Sequence, residues 1–192
     1  MEFGTLALND SILKALAEQN YSTPTPIQEK AIPLILNRKD VIASAQTGTG
    51  KTAAFALPIL QILFSDQDFV KGGKNIRALI ISPTRELAEQ IDESFKAYGK
   101  YTNLRSAAIY GGVPIEPQIQ KLNKGIDILI ATPGRLLDLA KQNYARLGSV
   151  DLMVLDEADM LLDMGFVDDI MKVNKLCADF KQSLLFSATM PL

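Results

Sequence analysis

The chain has 192 residues, of which 47% are hydrophobic and 22% charged, with a formal charge of -2. That composition sustains a buried core and excludes a disordered chain. The slight acidic balance excludes a protein that grips a polyanion through a general positive field, so any such contact must come from a few placed groups. There is no histidine and one cysteine, Cys177, which excludes histidine-based triads, His/Cys zinc clusters and an internal disulfide. Carboxylates, lysine, arginine and hydroxyls must carry any chemistry.

The first ten residues, MEFGTLALND, lack the basic start and long apolar stretch of a secretion signal, so a cytoplasmic protein is expected. YSTPTPIQ (21–28) reads as a proline-stiffened loop leading into a helix. DVIASA (40–45) is the first apolar run of strand length, and a polar knot, ASAQTGTGKT (43–52), follows it. The apolar segment 53–64 opens a helix; interrupted by Pro58 and Gln61, it is too short to span a bilayer. SDQDFVKGGKN (65–75) reads as an exposed connection. Four further strand-length runs are RALIIS (77–82), RSAAIY (105–110), DILIAT (127–132) and LMVLDE (152–157), and SLLFSA (183–188) closes the set. Helical periodicity fills 86–98, 135–142 and 158–176. VNKLCADF (173–180) reads as more amphipathic helix, with Cys177 an inert boundary residue. Doubly apolar strands alternating with helices predict an α/β fold: a mostly parallel sheet covered on both faces. Ligands of such sheets sit at the carboxyl ends of the strands.

The knot follows a strand and opens a helix, the context a phosphate cradle requires. Gly48 and Gly50 let backbone N–H groups converge on an anion, and the helix start adds its free amides. Lys51 can supply a full charge to phosphates, and the Thr52 hydroxyl can ligate Mg²⁺. Ala45 stands where the general pattern G-x-x-x-x-G-K-[ST] has its first glycine. A glycine-rich loop that merely turns the chain is the plainer alternative. Lys51 is expected to face solvent when the site is empty, so that Lys51→Ala removes nucleotide binding and spares the fold. At the end of LMVLDEAD, Asp156 suits the metal's shell and Glu157 the attacking water. Alone, such a pair would read as a solvated cap; with the cradle it completes one site.

These residues together resemble the first RecA-like domain of the DEAD-box ATP-dependent RNA helicases. Asp156-Glu157-Ala158-Asp159 is the tetrad that names that family. AQTGTGKT (45–52) resembles motif I, PTREL (83–87) motif Ia, Gly111-Gly112 the GG doublet, TPGR (132–135) motif Ib and Ser187-Ala188-Thr189 motif III. YSTPTPIQ resembles the Q motif, and Phe3 falls where the family has an isolated upstream aromatic. The ASAQTGTGKT and LDMGF wording further resembles the bacterial RhlE-type subgroup.

The resemblance implies a RecA-like P-loop fold, with an N-terminal helix and Q motif in 1–28 and the ATP-binding domain proper in 29–192. It implies ATP and Mg²⁺ held by Phe3, Tyr21, Gln28, Ala45, Gln46, Thr47, Gly48, Thr49, Gly50, Lys51 and Thr52, with Gln28 reading adenine and Tyr21 stacking on it. Thr52 and Asp156 would hold the metal; Lys51, Asp156 and Glu157 would be catalytic. Thr84, Arg85, Gly112, Thr132, Gly134 and Arg135 are implied RNA contacts, directed to the sugar–phosphate backbone and so largely independent of sequence. Helix capping explains Thr84 and Thr132 equally well, and Arg85 suits a pair with Glu86 or Glu89. Asp159, Ser187 and Thr189 are implied to couple nucleotide state to RNA. Asn20 replaces a family glycine and must tolerate a left-handed backbone, and Met160 replaces a frequent arginine.

A second RecA-like domain, bearing arginine fingers, is implied as partner and expected to lie outside this chain. The isolated domain should bind adenine nucleotide weakly, with negligible ATPase activity and no unwinding. The alternatives are a P-loop ATPase domain of a DNA translocase or other remodeller, and a non-catalytic scaffold.

Overall fold

The computed structural model describes residues 2–46, 48–66 and 75–189. A single 3-10 turn, Phe3–Thr5, precedes α1 (Asp10–Glu18). The Asn9 side chain caps α1 by accepting from the Ser11 N–H. After Asn20, whose φ of 59° is the left-handed turn expected of it, α2 (Pro26–Leu36) starts on a proline. Then come β1 (Val41–Ser44), α3 (Lys51–Ser65), β2 (Ala78–Ile81), α4 (Arg85–Tyr98), β3 (Ser106–Ile109) and α5 (Glu116–Lys124). The chain continues through β4 (Ile128–Ala131), α6 (Pro133–Lys141), β5 (Leu152–Leu155), α7 (Ala158–Asp163), α8 (Val167–Leu176) and β6 (Gln182–Ser187).

All six anticipated strands form, each pairing in parallel with its neighbours in the order β1-β6-β5-β2-β4-β3. Alternate side chains go to opposite faces. Ala78 and Ile80 of β2, with Ile128 and Ile130 of β4, pack under α1 to α4. Leu79 and Ile81, with Leu129 and Ala131, pack against the α5 to α8 side. The first core is closed by Phe55, whose ring lies 5.2 Å from Phe186 and 6.3 Å from Phe95.

Two details depart from the sequence reading. Cover on both faces holds at the sheet centre and fails at its β1 edge, where Ile42 is 67% exposed. The single helix expected over 158–176 is two helices, because the chain reverses at Gly165 (φ 78°) and turns the Phe166 side chain back onto the second core. Pro58 sits inside α3 without ending it.

Cys177 lies just beyond the end of α8, and burial pushes its thiol up to about 11, consistent with an inert residue. The polar connection of 65–75 falls mostly outside the described residues. Among the described residues no helix is long and apolar enough to cross a membrane.

Candidate functional site

The strand order sorts the motifs into two groups along one carboxyl edge. The carboxyl ends of β1, β6 and β5 carry the cradle, Ser187 with Thr189, and the Asp156-Glu157 pair. The segments after β2, β4 and β3 carry Thr84-Arg85, Thr132 to Arg135 and the Gly111-Gly112 doublet. The chain leaves the first group after β1, passes through all of the second (β2, β3 and β4) and returns at β5 and β6, so the cradle meets the Asp156-Glu157 pair only through the fold.

In the first group, a cavity of about 410 Å³ is lined by Lys51, Thr52, Asp156 and Glu157 together with Gln28 and Tyr21. That volume lies within the range of small-molecule sites. Gly50 caps α3 with φ 88°, and a Cβ there would stand 2.3 Å from Gln28 Nε2. The position therefore excludes a side chain on two counts. The Gln28 carboxamide is 2% exposed and spans the gap between Q-motif loop and cradle. Its Oε1 accepts from the Thr25 N–H (2.9 Å) and its Nε2 donates to the Gly50 carbonyl (3.1 Å). One lone pair and one N–H of that amide remain for a ligand.

Lys51 does not face solvent. It is 6% exposed, and its ammonium donates to Glu157 Oε1 at 2.7 Å. Among the described residues lining the cavity it is the only cation, and the carboxylates opposite draw it inward. Glu157 reaches the cavity because its backbone is left-handed (φ 49°, ψ 54°), turning the chain off β5 so that it and Asp156 face the same side. Burial, with Glu157 beside it, pushes the Asp156 carboxyl up to about 6 although Lys51 pulls the other way. A raised carboxyl beside a buried ammonium is a pattern typical of functional sites.

Ser187 and Thr189 meet Asp159. Its carboxylate accepts from the Thr189 amide (3.0 Å) and hydroxyl (2.8 Å), while Ser187 Oγ accepts from the Asp159 N–H (3.3 Å). Burial opposes ionisation of Asp159, but the Thr189 bonds outweigh it and hold the carboxyl below its usual range. The Ala45 N–H donates to the Ser187 carbonyl (3.0 Å), tying the cradle to the same strand end.

Gln46 and Thr49 bond to each other across the loop, the Thr49 hydroxyl donating to the Gln46 carbonyl (2.6 Å). Thr47 lies outside the described residues. Phe3 is not beside the cavity: its ring is buried in the first core with Leu6 and Leu8, where a large apolar side chain is most stable. Sequence reasoning missed the α4 wall of the cavity, formed by Gln90, Ser94 and Tyr98. The Tyr98 ring meets Tyr21 edge-on at 6.1 Å, and burial, with Tyr21 nearby, holds its phenol above the ordinary range. Within α4 these residues look like part of an ordinary amphipathic face, so nothing in the pattern singles them out.

In the second group, Thr84 caps α4 by accepting from the Leu87 N–H (3.3 Å), and half-exposed Arg85 pairs with Glu89 at 3.7 Å, the second of its two expected partners. Thr132 occupies the cap position of α6 without a side-chain bond, ahead of Pro133. Gly134 is exposed. Arg135 donates to the Val113 carbonyl at 3.1 Å, which fixes the loop after β3 to the start of α6.

Comparison with known proteins agrees with this geometry. Residues 25–192 match the family model described as DEAD/DEAH box helicase, and the chain belongs to that family. It is 48% identical over 191 residues to the ATP-dependent RNA helicase CshA of Limosilactobacillus reuteri, covering 100% of this chain and 37% of that protein. The DEAD-box ATP-dependent RNA helicase RhpA of Helicobacter pylori is likewise 48% identical, across 98% of this chain and 37% of its own length. Among solved structures, a DEAD box protein from the hyperthermophile Methanococcus jannaschii superposes with a TM-score of 0.89 at 42% identity, covering 100% of this chain and 51% of that one. The fold is therefore the RecA-like one. The chain spans little more than a third of the length of these curated relatives.

Proposed function

We propose that this chain is the N-terminal, ATP-binding domain of an ATP-dependent RNA helicase that couples nucleotide binding and hydrolysis to local separation of RNA strands. One observation carries the reading: Lys51, Thr52, Asp156 and Glu157 line a single cavity with Gln28 and Tyr21. The relatives CshA and RhpA are named as ATP-dependent RNA helicases, which supports RNA over DNA as the polymer.

In this reading the amides of the 48–52 turn and the Lys51 ammonium cradle the phosphates. Their attraction to an anion competes with the Lys51–Glu157 pair, so phosphate arrival frees Glu157 to orient water. Gln28, with its spare lone pair and N–H, accepts from the adenine N6 amine and donates to N7, a pairing guanine refuses. Tyr21 presents an exposed ring to the base.

The donor set also fits Mg²⁺. Among the described residues no three acidic or sulfur/imidazole ligands cluster as a cage, and Mg²⁺ characteristically uses one or two carboxylates plus phosphate and water. Asp156 and the Thr52 hydroxyl would hold it, and the ion would neutralise charge developing on the phosphates.

Thr84, Arg85, Gly112, Thr132, Gly134 and Arg135 would follow the RNA backbone along the other half of the edge, and Asp159 with Ser187 and Thr189 would link the halves. A second RecA-like domain would supply the missing catalytic arginine, and the single buried thiol suits a cytoplasmic setting. The test is calorimetric titration of the chain with ADP, GDP and inorganic pyrophosphate, alongside a turnover assay with and without single-stranded RNA. Preference for ADP over GDP with negligible turnover is expected. Equal affinity for both nucleotides, or vigorous RNA-stimulated hydrolysis by this chain alone, would refute the assignment.

A further inference from the structure

A buried carboxamide outside every motif named above holds the loop after β3. Gln118, on α5, is 5% exposed. Its Oε1 accepts from the Tyr110 N–H at 3.1 Å, and its Nε2 donates to the Tyr110 carbonyl at 3.1 Å and the Pro114 carbonyl at 3.4 Å. The side chain thus acts as a short stretch of strand, pairing with both backbone groups of the residue that precedes the glycine doublet. It also closes the loop at its far end, through Pro114.

Tyr110 is in turn shared with the neighbouring segment. Its hydroxyl donates to Glu89, and the Arg85 guanidinium lies 5.3 Å from its ring centroid. Arg135 binds Val113 within the same loop. Three chain segments that follow different strands therefore converge on residues 110–114, whose backbone direction is set by one amide.

We infer that Gln118 is a positioning residue for RNA binding: it holds Gly111-Gly112 and, through Tyr110, Arg85 in the arrangement that meets the sugar–phosphate backbone. This rests on the reading that the β2-β4-β3 half of the edge carries RNA. A carboxamide is required because the site needs one acceptor and two donations from a single planar group. An apolar replacement leaves one amide and two carbonyls without partners, and an ionised carboxylate leaves both carbonyls so.

The experiment is an NMR titration of the chain with single-stranded oligouridine, with ADP affinity measured in parallel. Gln118→Leu should weaken RNA binding roughly five- to tenfold, with shift changes centred on 110–113, and leave ADP affinity unchanged. Gln118→Glu supplies the acceptor always and a donor only when protonated. Its RNA affinity relative to the unaltered chain should recover as pH falls from about 8 to about 6, whereas that of Gln118→Leu should not. If Arg85→Ala and Arg135→Ala lose RNA while Gln118→Leu keeps it, this inference alone is overturned. If none of the three affects RNA, the reading of that edge falls and the inference with it. Equal loss of RNA and ADP in Gln118→Leu would make the residue merely structural and overturn the inference too.

Discussion

Lys51→Ala should destabilise the chain even before any ligand is added. The ammonium is buried, bonded to Glu157 at 2.7 Å, and is the only cation among the described residues that line the cavity with Glu157 and Asp156. Removing one partner of a fully buried pair costs about 3–5 kcal/mol. Here the cavity admits water and Asp156, already pushed up to about 6, can neutralise itself. The expected loss is therefore about 2–3 kcal/mol, or a fall in Tm of roughly 4–12 °C for a chain of this size. The sign of the pH dependence follows from Asp156. Its proton is held to higher pH in the folded chain than in the unfolded one, so its ionisation subtracts stability as pH rises through about 6. Without Lys51 to favour the ionised form, that subtraction grows. The defect should be largest near pH 8 and shrink below about 6. Thermal melts of Lys51→Ala, Glu157→Gln and the double variant across that range measure it. The double variant should recover at least half the loss. An unchanged Tm for Lys51→Ala, or a double variant no better than the single, would show that the pair contributes nothing and that the lysine is held by something else.

Gln28→Ala should weaken ADP far more than pyrophosphate in the same calorimeter, because the lone pair and N–H left on its carboxamide are the groups proposed to pair with the base; equal losses would remove that proposed role. The variant should also melt lower by about 1–2 kcal/mol through loss of the Thr25 and Gly50 bonds. Phe55→Ala removes the ring that contacts both Phe95 and Phe186 and should cost about 3–5 kcal/mol in a urea unfolding curve; a loss below about 1 kcal/mol would mean the first core repacks freely. Thr189→Val deletes the hydroxyl bond to Asp159 and should lower stability by about 0.5–1 kcal/mol near neutral pH. Because the Asp159 carboxyl is held below its usual range, that difference should fade in acid as the carboxylate is protonated; a defect that persists there would place the effect elsewhere.

Much of the fold was legible because doubly apolar strands and 3.6-period helices announce themselves: six runs such as RALIIS and DILIAT became six parallel strands. That Lys51, Thr52, Asp156 and Glu157 line one cavity was legible for a different reason. Gly50, Lys51 and Asp156 are residue types whose chemistry admits few other uses in that order. What stayed hidden depends on where unmarked residues meet. Gln118 and Tyr98 lie on amphipathic helices and acquire meaning only when α5 and α4 are laid against the loop after β3 and the cavity. The strand order itself, which divides the edge into two halves, follows from long-range pairing that no local pattern records. The burial of Lys51 is not legible because solvent exposure is the rule for an isolated lysine, and the two carboxylates that draw it inward lie 105 and 106 residues further along the chain. Phe3 was misjudged because an aromatic near the chain start serves a core as readily as a ligand.

The central claim is that one cavity gathers cradle, carboxylates and adenine reader. A crystal structure of the chain soaked with ADP and Mg²⁺ tests it most directly. The account predicts the terminal phosphate against Lys51 and the 48–52 amides, the ion beside Thr52 and Asp156, and the base between Tyr21 and Gln28. Nucleotide bound elsewhere, with the Lys51–Glu157 pair intact and Gln28 untouched, would contradict it.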